Sequence, residues 1–176
     1  MDDEPVDAPF LRERFGLAPH PTCGYVAETY RSETRVPVEG LPEGYDGDRP
    51  LGSALHFLVT ADTHLQLHRI RSDQQYLFHL GDPIEVVQLR PDGSGRHDVV
   101  GPDLRGGHVP MLAIPGQTFH LARLIDGGSW SFLSSTEWPG VEPSDVEPGD
   151  LDDLAARYPD WAADLRRLTG SEDSSG

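Results

Sequence analysis

The residues best equipped for chemistry are grouped between His64 and Asp82, and again at His120. In Leu65 to Ile70, Gln66 and His68 are two apart; in Gln74 to Leu80, so are Gln74, Tyr76 and Phe78. Strand alternation turns each set to one face. Arg71, Ser72 and Asp73 supply the turn between the runs, and Gly81-Asp82-Pro83 ends the second. The pattern predicts a hairpin whose one face carries Gln66, His68, Gln74 and Tyr76, a wall of a binding cavity. An imidazole with a pKa near ~6.5 can act as a general base at neutral pH. Neutral imidazole also suits iron, manganese, nickel, copper or zinc, which makes His68 and His120 the candidate metal ligands. Tyr76 and Tyr30 are candidate general acids, and Glu28 is a second acid or base on the face of Tyr30. Asp73 is placed to orient His68. Gln66, Gln74, Phe78 and His120 are candidate ligand contacts, with Arg31 as a clamp for an anionic group. Against these readings stands a packing role: a tyrosine in a sheet wall is commonly a buried ring with a tethered hydroxyl.

The spacing resembles the two motifs of the cupin superfamily. The first is a glycine, five residues, His-x-His, a short gap, Glu, six residues and Gly. Here Gln66-x-His68 stands in the His-x-His place, Gln74 in the Glu place, and Gly81 follows after six intervening residues. Thr60 replaces the first glycine, and the gap before Gln74 is one residue too long. The second motif, Pro-x-Gly-x-x-His, is similar to Pro115-Gly116-Gln117-Thr118-Phe119-His120, with the glycine one place early and Leu124 in the usual Asn position. Pro19-His20-Pro21, Gly24-Tyr25, Glu28-Thr29-Tyr30-Arg31-Ser32, His68-Arg69 and Ser72-Asp73 extend the resemblance to a subfamily of small cupins (Cupin_5-type), over roughly residues 17 to 158. That resemblance implies an all-β double-stranded β-helix, or jelly roll, of the RmlC-like kind, related in fold to sugar-nucleotide epimerases. In those enzymes a His is the base, a Tyr is the acid, and no metal takes part.

Length and composition agree with one soluble domain. The chain has 176 residues, 36% of them hydrophobic, which is enough for a single core. No apolar run reaches the ~20 residues of a membrane span, and the acidic start MDDEPVDAPF is not a signal sequence. A cytoplasmic protein is expected. Cys23 is the single cysteine, so an internal disulfide and a cysteine-based zinc site are excluded. All basic residues are arginine; with no lysine there is no Schiff base, no pyridoxal anchor and no P-loop. A net charge of −16 disfavours nucleic acid. Acids concentrate near residues 2–7 and 137–153, where they keep the ends solvated.

The elements that must position these residues are mostly short strands. An acidic, disordered start over 1–8 precedes one cupin domain over 9–168, and 169–176 form a disordered tail. Pro9 to Phe15 predicts a short helix stopped by Gly16. Core strands fall within about 24–136: 24–32, 53–60, 64–70, 74–80, 84–90, 97–100, 112–114, 117–124 and 129–136, with Arg90 to Gly95 a hairpin turn. The Gly/Pro-rich stretch 37–52 reads as a long loop, either a lid or a floppy connection. A C-terminal helical appendage is expected over about 150–168, with Asp150 as N-cap and its apolar stripe packed outside the sandwich.

Three functions are compatible with this reading. The first is a metal-independent isomerase or epimerase acting on a small polar, carbohydrate-like metabolite, with His68 as acid/base and no cofactor. The second is a metal-dependent oxygenase or lyase using His68 and His120. The third is a ligand-binding cupin without catalysis. A homodimer is expected, because pairing removes the liability of exposed sheet edges.

Overall fold

Residues 5–170 are described by a computed structural model. Asp7 opens the chain's first element by accepting a hydrogen bond from the Phe10 amide, which caps α1 (Ala8–Phe15). Gly16, at φ 64°, closes it in the left-handed conformation that glycine adopts freely. The expected disorder over residues 1–8 is therefore corrected at its end, since Asp7 and Ala8 belong to a capped helix. Residues 1–4 and 171–176 lie outside the described residues.

Thirteen strands follow α1: β1 (Ala18–His20), β2 (Gly24–Arg31), β3 (Arg35–Val36), β4 (Arg49–Pro50), β5 (Ser53–Thr60), β6 (Leu65–Ile70), β7 (Asp73–Gly81), β8 (Ile84–Leu89), β9 (Gly95–Val100), β10 (Met111–Ile114), β11 (Phe119–Leu124), β12 (Trp130–Trp138) and β13 (Val146–Pro148). Two antiparallel sheets form the jelly roll, one ordered β1-β2-β5-β12-β7-β10 and the other β13-β6-β11-β8-β9. They stack face to face, and side chains of the two inner faces, among them Phe57, Val86, Ile114 and Leu133, make the central core. The expected strands are all present. The consequential difference in bounds is β12, which runs to Trp138 and so takes Glu137 into the sheet.

The C-terminal helices α2 (Leu151–Arg157) and α3 (Ala162–Thr169) pack where expected. Asp150 caps α2 by accepting from the Asp153 amide, and Leu154, Leu165 and Leu168 cover the outer side of the smaller sheet at Val87, Leu89 and Leu121. Thr169 is the last helical residue, one past the expected end of the domain at 168, and the expected disordered tail lies, beyond Gly170, outside the described residues.

The stretch 37–52 is neither floppy nor a free lid. β3 and β4 pair across its base, and a 3-10 turn, Val38–Gly40, shortens it. Arg49, 3% exposed, then ties it to the far side of the chain: its Nε donates to Asp145 Oδ2 at 2.7 Å and its Nη2 to Asp145 Oδ1 at 2.8 Å. A two-point bond between planar groups fixes orientation as well as distance.

Candidate functional site

Between the two sheets lies a cavity of about 400 Å³, lined by His68, Gln74, Tyr76 and Glu137 in its interior and by His20, Glu28, Arg31 and Glu142 toward the mouth. Three one-residue bulges decide which side chains reach it. In β6, the pairing with β11 moves from His68–His120 to Leu65–Ala122, so two residues of β6, Gln66 and Leu67, face one of β11, Leu121. The extra residue reverses the alternation. Leu65, His68 and Ile70 face the cavity, Leu67 packs outward under the helices, and Gln66 is exposed, hydrogen-bonded at 3.0 Å to His64. Gln66 is thus corrected from a ligand contact to a surface residue.

The second bulge lies in β2, where Glu28 pairs with Leu55 and Tyr30 with Ala54, leaving Thr29 in excess. Glu28 and Arg31 therefore share the cavity side, and Tyr30 is turned out, 59% exposed. Tyr30 is corrected from candidate acid to outer-face residue. In β7 the extra residue is His79, between the pairs Phe78–Leu133 and Leu80–Phe132. Phe78 packs into the central core rather than the cavity, so its expected ligand contact is also corrected. Asp73 does not orient His68; its carboxylate accepts from the Gly116 amide at 2.7 Å.

Hydrogen bonds assign the tautomers of both inner histidines. His68 Nδ1 lies 2.7 Å from the Gln66 carbonyl, which can only accept, so Nδ1 carries the proton. Nε2 keeps its lone pair and has no hydrogen-bond partner among the described residues. His120 Nδ1 likewise donates to the Thr118 carbonyl at 3.2 Å, leaving Nε2 to accept from the Tyr76 hydroxyl at 2.8 Å. The rings of His68 and His120 are 4.4 Å apart between centroids. His120 is fully buried behind the cavity wall and meets a ligand only through Tyr76 and Gln74. Tyr76 gives its proton to His120, so it faces the cavity as an acceptor rather than as the expected acid.

Glu137 was not among the residues singled out from sequence. It is 4% exposed and sits directly opposite both Gln74 and Ser53 across the sheet. Its carboxyl accepts from Ser53 Oγ at 2.7 Å and from Ser135 Oγ at 2.5 Å. The available signal was the alternation Ser131, Leu133, Ser135, Glu137, hidden when the strand is ended at Thr136. Arg31 lines the mouth, but its donors are engaged by Glu28 at 2.7 and 2.9 Å, by Glu142 at 3.3 Å and by the Val141 carbonyl. An anion would have to displace two carboxylates to claim it.

Burial shifts the ionisable groups toward their neutral forms. It lowers His68 and, with the nearby His68 ring adding to the effect, holds His120 well below 6.5. Burial also raises Glu137, partly offset by its two serine donors and by Arg31. For a base with a depressed folded pKa, the unfolded chain binds the proton first. Stability is then fully present above 6.5 and is lost as pH falls toward the folded value. We expect the urea midpoint to decline from about pH 6.5 to about pH 5.5, and to decline less in His120→Asn. Equal slopes for the two proteins would contradict this.

These donors do not fit a transition ion. His68 Nε2 is open, but the His120 lone pair already takes the Tyr76 proton, and Gln74 is a neutral amide. Among the described residues no group of three His, Cys, Asp or Glu side chains is placed to hold a metal, whereas such ions take three or four protein ligands. No step is routed through one. Gln74→Glu adds an anionic oxygen beside His120, and calorimetric titration with Mn²⁺ or Zn²⁺ is expected to show a gain in affinity over the wild type. Gln74→Ala is expected to weaken ligand binding instead.

Two stacked sheets of this order around an inward His68–His120 pair define a cupin. The chain belongs to the family described as Cupin superfamily (DUF985), which it matches over residues 11–148. Among solved structures, a hypothetical protein from Leishmania major is similar at 26% identity and TM-score 0.81, over 93% of this chain and 98% of its own. A protein from Shewanella oneidensis has the same fold at 24% identity and TM-score 0.79, again over 93% and 98%. Oxalate decarboxylase from Bacillus subtilis matches at 15% identity and TM-score 0.48, with 37% of its chain covered. No curated protein matches the sequence. No helix among the described residues is long and apolar enough to cross a membrane.

Proposed function

We propose that this cupin is a metal-independent isomerase or epimerase that moves a proton on a small polar metabolite. One observation carries the reading: His68 from the smaller sheet and Glu137 from the larger line the same cavity, and burial biases each to the form it needs. A neutral imidazole with a free Nε2 is a base; a carboxyl held toward its protonated state is an acid. Two groups whose environments set them to opposite tasks make an acid–base pair. His68 Nε2 would take the proton from a hydroxyl-bearing carbon next to a carbonyl while Glu137 gives one to the carbonyl oxygen, forming an enediol. His68 then gives its proton to the former carbonyl carbon, and the Glu137 carboxylate takes one from the neighbouring hydroxyl, which becomes the new carbonyl. The apolar walls, Phe57, Leu65 and Ile70 among them, exclude water from the intermediate.

The test is wash-in of solvent deuterium, followed by proton NMR, into a panel of small ketoses, aldoses and amino sugars, with protein dialysed against chelator. Loss of the signal next to the carbonyl supports the proposal. Activity that disappears on chelation and returns with stoichiometric metal overturns it. Binding without any exchange across the panel also overturns it, in favour of a ligand-binding cupin.

We also propose that a second copy of the chain covers the outer face of the larger sheet. Tyr30, Gln75 and Ala113 lie on a cross-strand row that runs through Ala54 and Thr136 and carries no charge, flanked by Met111 and Trp138, which are 52% and 48% exposed. In a chain of net charge −16, two copies repel on balance, and an uncharged face is where that repulsion is least. Light scattering at micromolar concentration should give twice 19.4 kDa, and Trp138→Glu should return the mass to the monomer's. A wild-type mass of 19.4 kDa rules the dimer out.

A further inference from the structure

Most hydrogen-bond donors deep in the cavity are spent on protein atoms, and what remains open to a ligand there is mainly acceptors. His68 uses its Nδ1 proton on the Gln66 carbonyl. Tyr76 uses its only hydroxyl proton on His120. Ser53 and Ser135 give theirs to Glu137. Gln74 turns its amide nitrogen toward His120 at 3.4 Å, which leaves its carbonyl oxygen for the cavity. Apart from the carboxyl proton of Glu137, which the proposed reaction uses, and the Nε2 proton of His20 at the rim, whose Nδ1 accepts from the Thr22 amide, a ligand meets His68 Nε2, Tyr76 Oη and the Gln74 carbonyl.

The charge at the mouth points the same way. Glu28 and Glu142 line the mouth against one guanidinium, that of Arg31, which the two already share. Arg35 approaches Glu142 only at 4.0 Å and from outside the cavity. A phosphate or carboxylate entering here finds acceptors and acids. A polyhydroxylated ligand can satisfy the acceptors but gains nothing from the acids.

We infer that the ligand carries a protonated amine, and that the cavity takes a small ammonium compound of the amino-sugar or amino-alcohol kind. An ammonium is three donors and no acceptor, the complement of Tyr76 Oη and the Gln74 carbonyl, and the carboxylates of the mouth favour its entry. The inference rests on the proton-transfer reading of the same site, because it leaves His68 Nε2 and Glu137 free for the reacting carbon and its carbonyl.

Matched pairs test it on the full, chelator-treated protein: D-glucosamine against D-glucose, and ethanolamine against ethylene glycol, by calorimetry and ligand-observed NMR. The ammonium member is expected to bind about tenfold more tightly or better, a preference reduced in both Tyr76→Phe and Glu28→Gln. If Tyr76→Phe does not fold, Glu28→Gln, altered at a half-exposed side chain, carries the test. Equal affinities within the pairs, or no ammonium compound binding more tightly than its neutral partner, overturn the inference. So does a preference that both folded variants retain. Binding of Mn²⁺ or Zn²⁺ at one ion per chain that excludes glucosamine overturns it as well, by assigning the acceptors to a metal. Amine preference without deuterium exchange sinks the proton-transfer reading alone; exchange without amine preference sinks the amine inference alone.

Discussion

His68→Ala is expected to lower the rate of deuterium exchange by about 10²–10⁴-fold, the usual contribution of a positioned general base. His68 is 4% exposed, and its orientation is set by a backbone carbonyl rather than by another side chain. The substitution removes the base without disturbing an ion pair, and Phe57, Leu65 and Ile70 remain to hold the cavity. His120→Asn should leave a measurable remainder, because His120 acts through Tyr76 and does not itself line the cavity. Glu137→Gln keeps the shape and one of the two serine acceptors, turns the other into an amide donor, and loses the transferable proton, so kcat should fall more than KM rises. Exchange that persists undiminished in His68→Ala would remove the basis of the proposed chemistry.

The second large effect is on stability. Arg49→Met is expected to cost about 3 kcal/mol, because it takes the two-point partner from a fully enclosed Asp145 carboxylate and leaves it only Arg71, whose Nε is 3.7 Å away. For a domain of this size that is a fall of roughly 10 °C in Tm. Adding Asp145→Asn removes the stranded charge while keeping a side-chain acceptor for the Glu142 amide, which Asp145 now binds at 2.9 Å. The double variant should therefore recover more than half of the loss, as read by thermal and urea unfolding. Recovery distinguishes a stranded charge from a general loss of packing. The same variant reports on the site: Asp145 ends the 3-10 turn Pro143–Asp145, and Glu142, Pro143 and Val146 border the cavity mouth. A loosened turn should raise KM before it lowers kcat. A cost below about 1 kcal/mol would mean that the 37–52 strap is not held by this pair.

How far the sequence reached differs from residue to residue. His68, Gln74 and Tyr76 were legible because β7 alternates regularly as far as Phe78, and because the imidazole stands at a recognisable spacing from both. His120 was legible from its motif, but its depth behind the cavity wall was not, since the interior of a sandwich depends on how two sheets stack. Gln66, Tyr30 and Glu28 were judged by strict period-two alternation. A single extra residue in β6 and one in β2 invalidate that rule locally, and bulges carry no mark that alternation can detect. Glu137 was missed for a related reason, its strand being ended one residue short of it.

By itself the sequence determined the fold class, the C-terminal helices with Asp150 as cap, and the pairing of two cupin motifs. Each of these depends on local periodicity, turn chemistry and motif spacing, which are written residue by residue. Tertiary structure alone decided the roles. It set Glu137 opposite Gln74 from strands more than fifty residues apart in the chain, spent the Tyr76 proton on His120, and closed Arg31 between Glu28 and Glu142. Which proton is free and which charge is already answered depends on neighbours brought together by the stacking of two sheets, and no spacing in the chain encodes those neighbours.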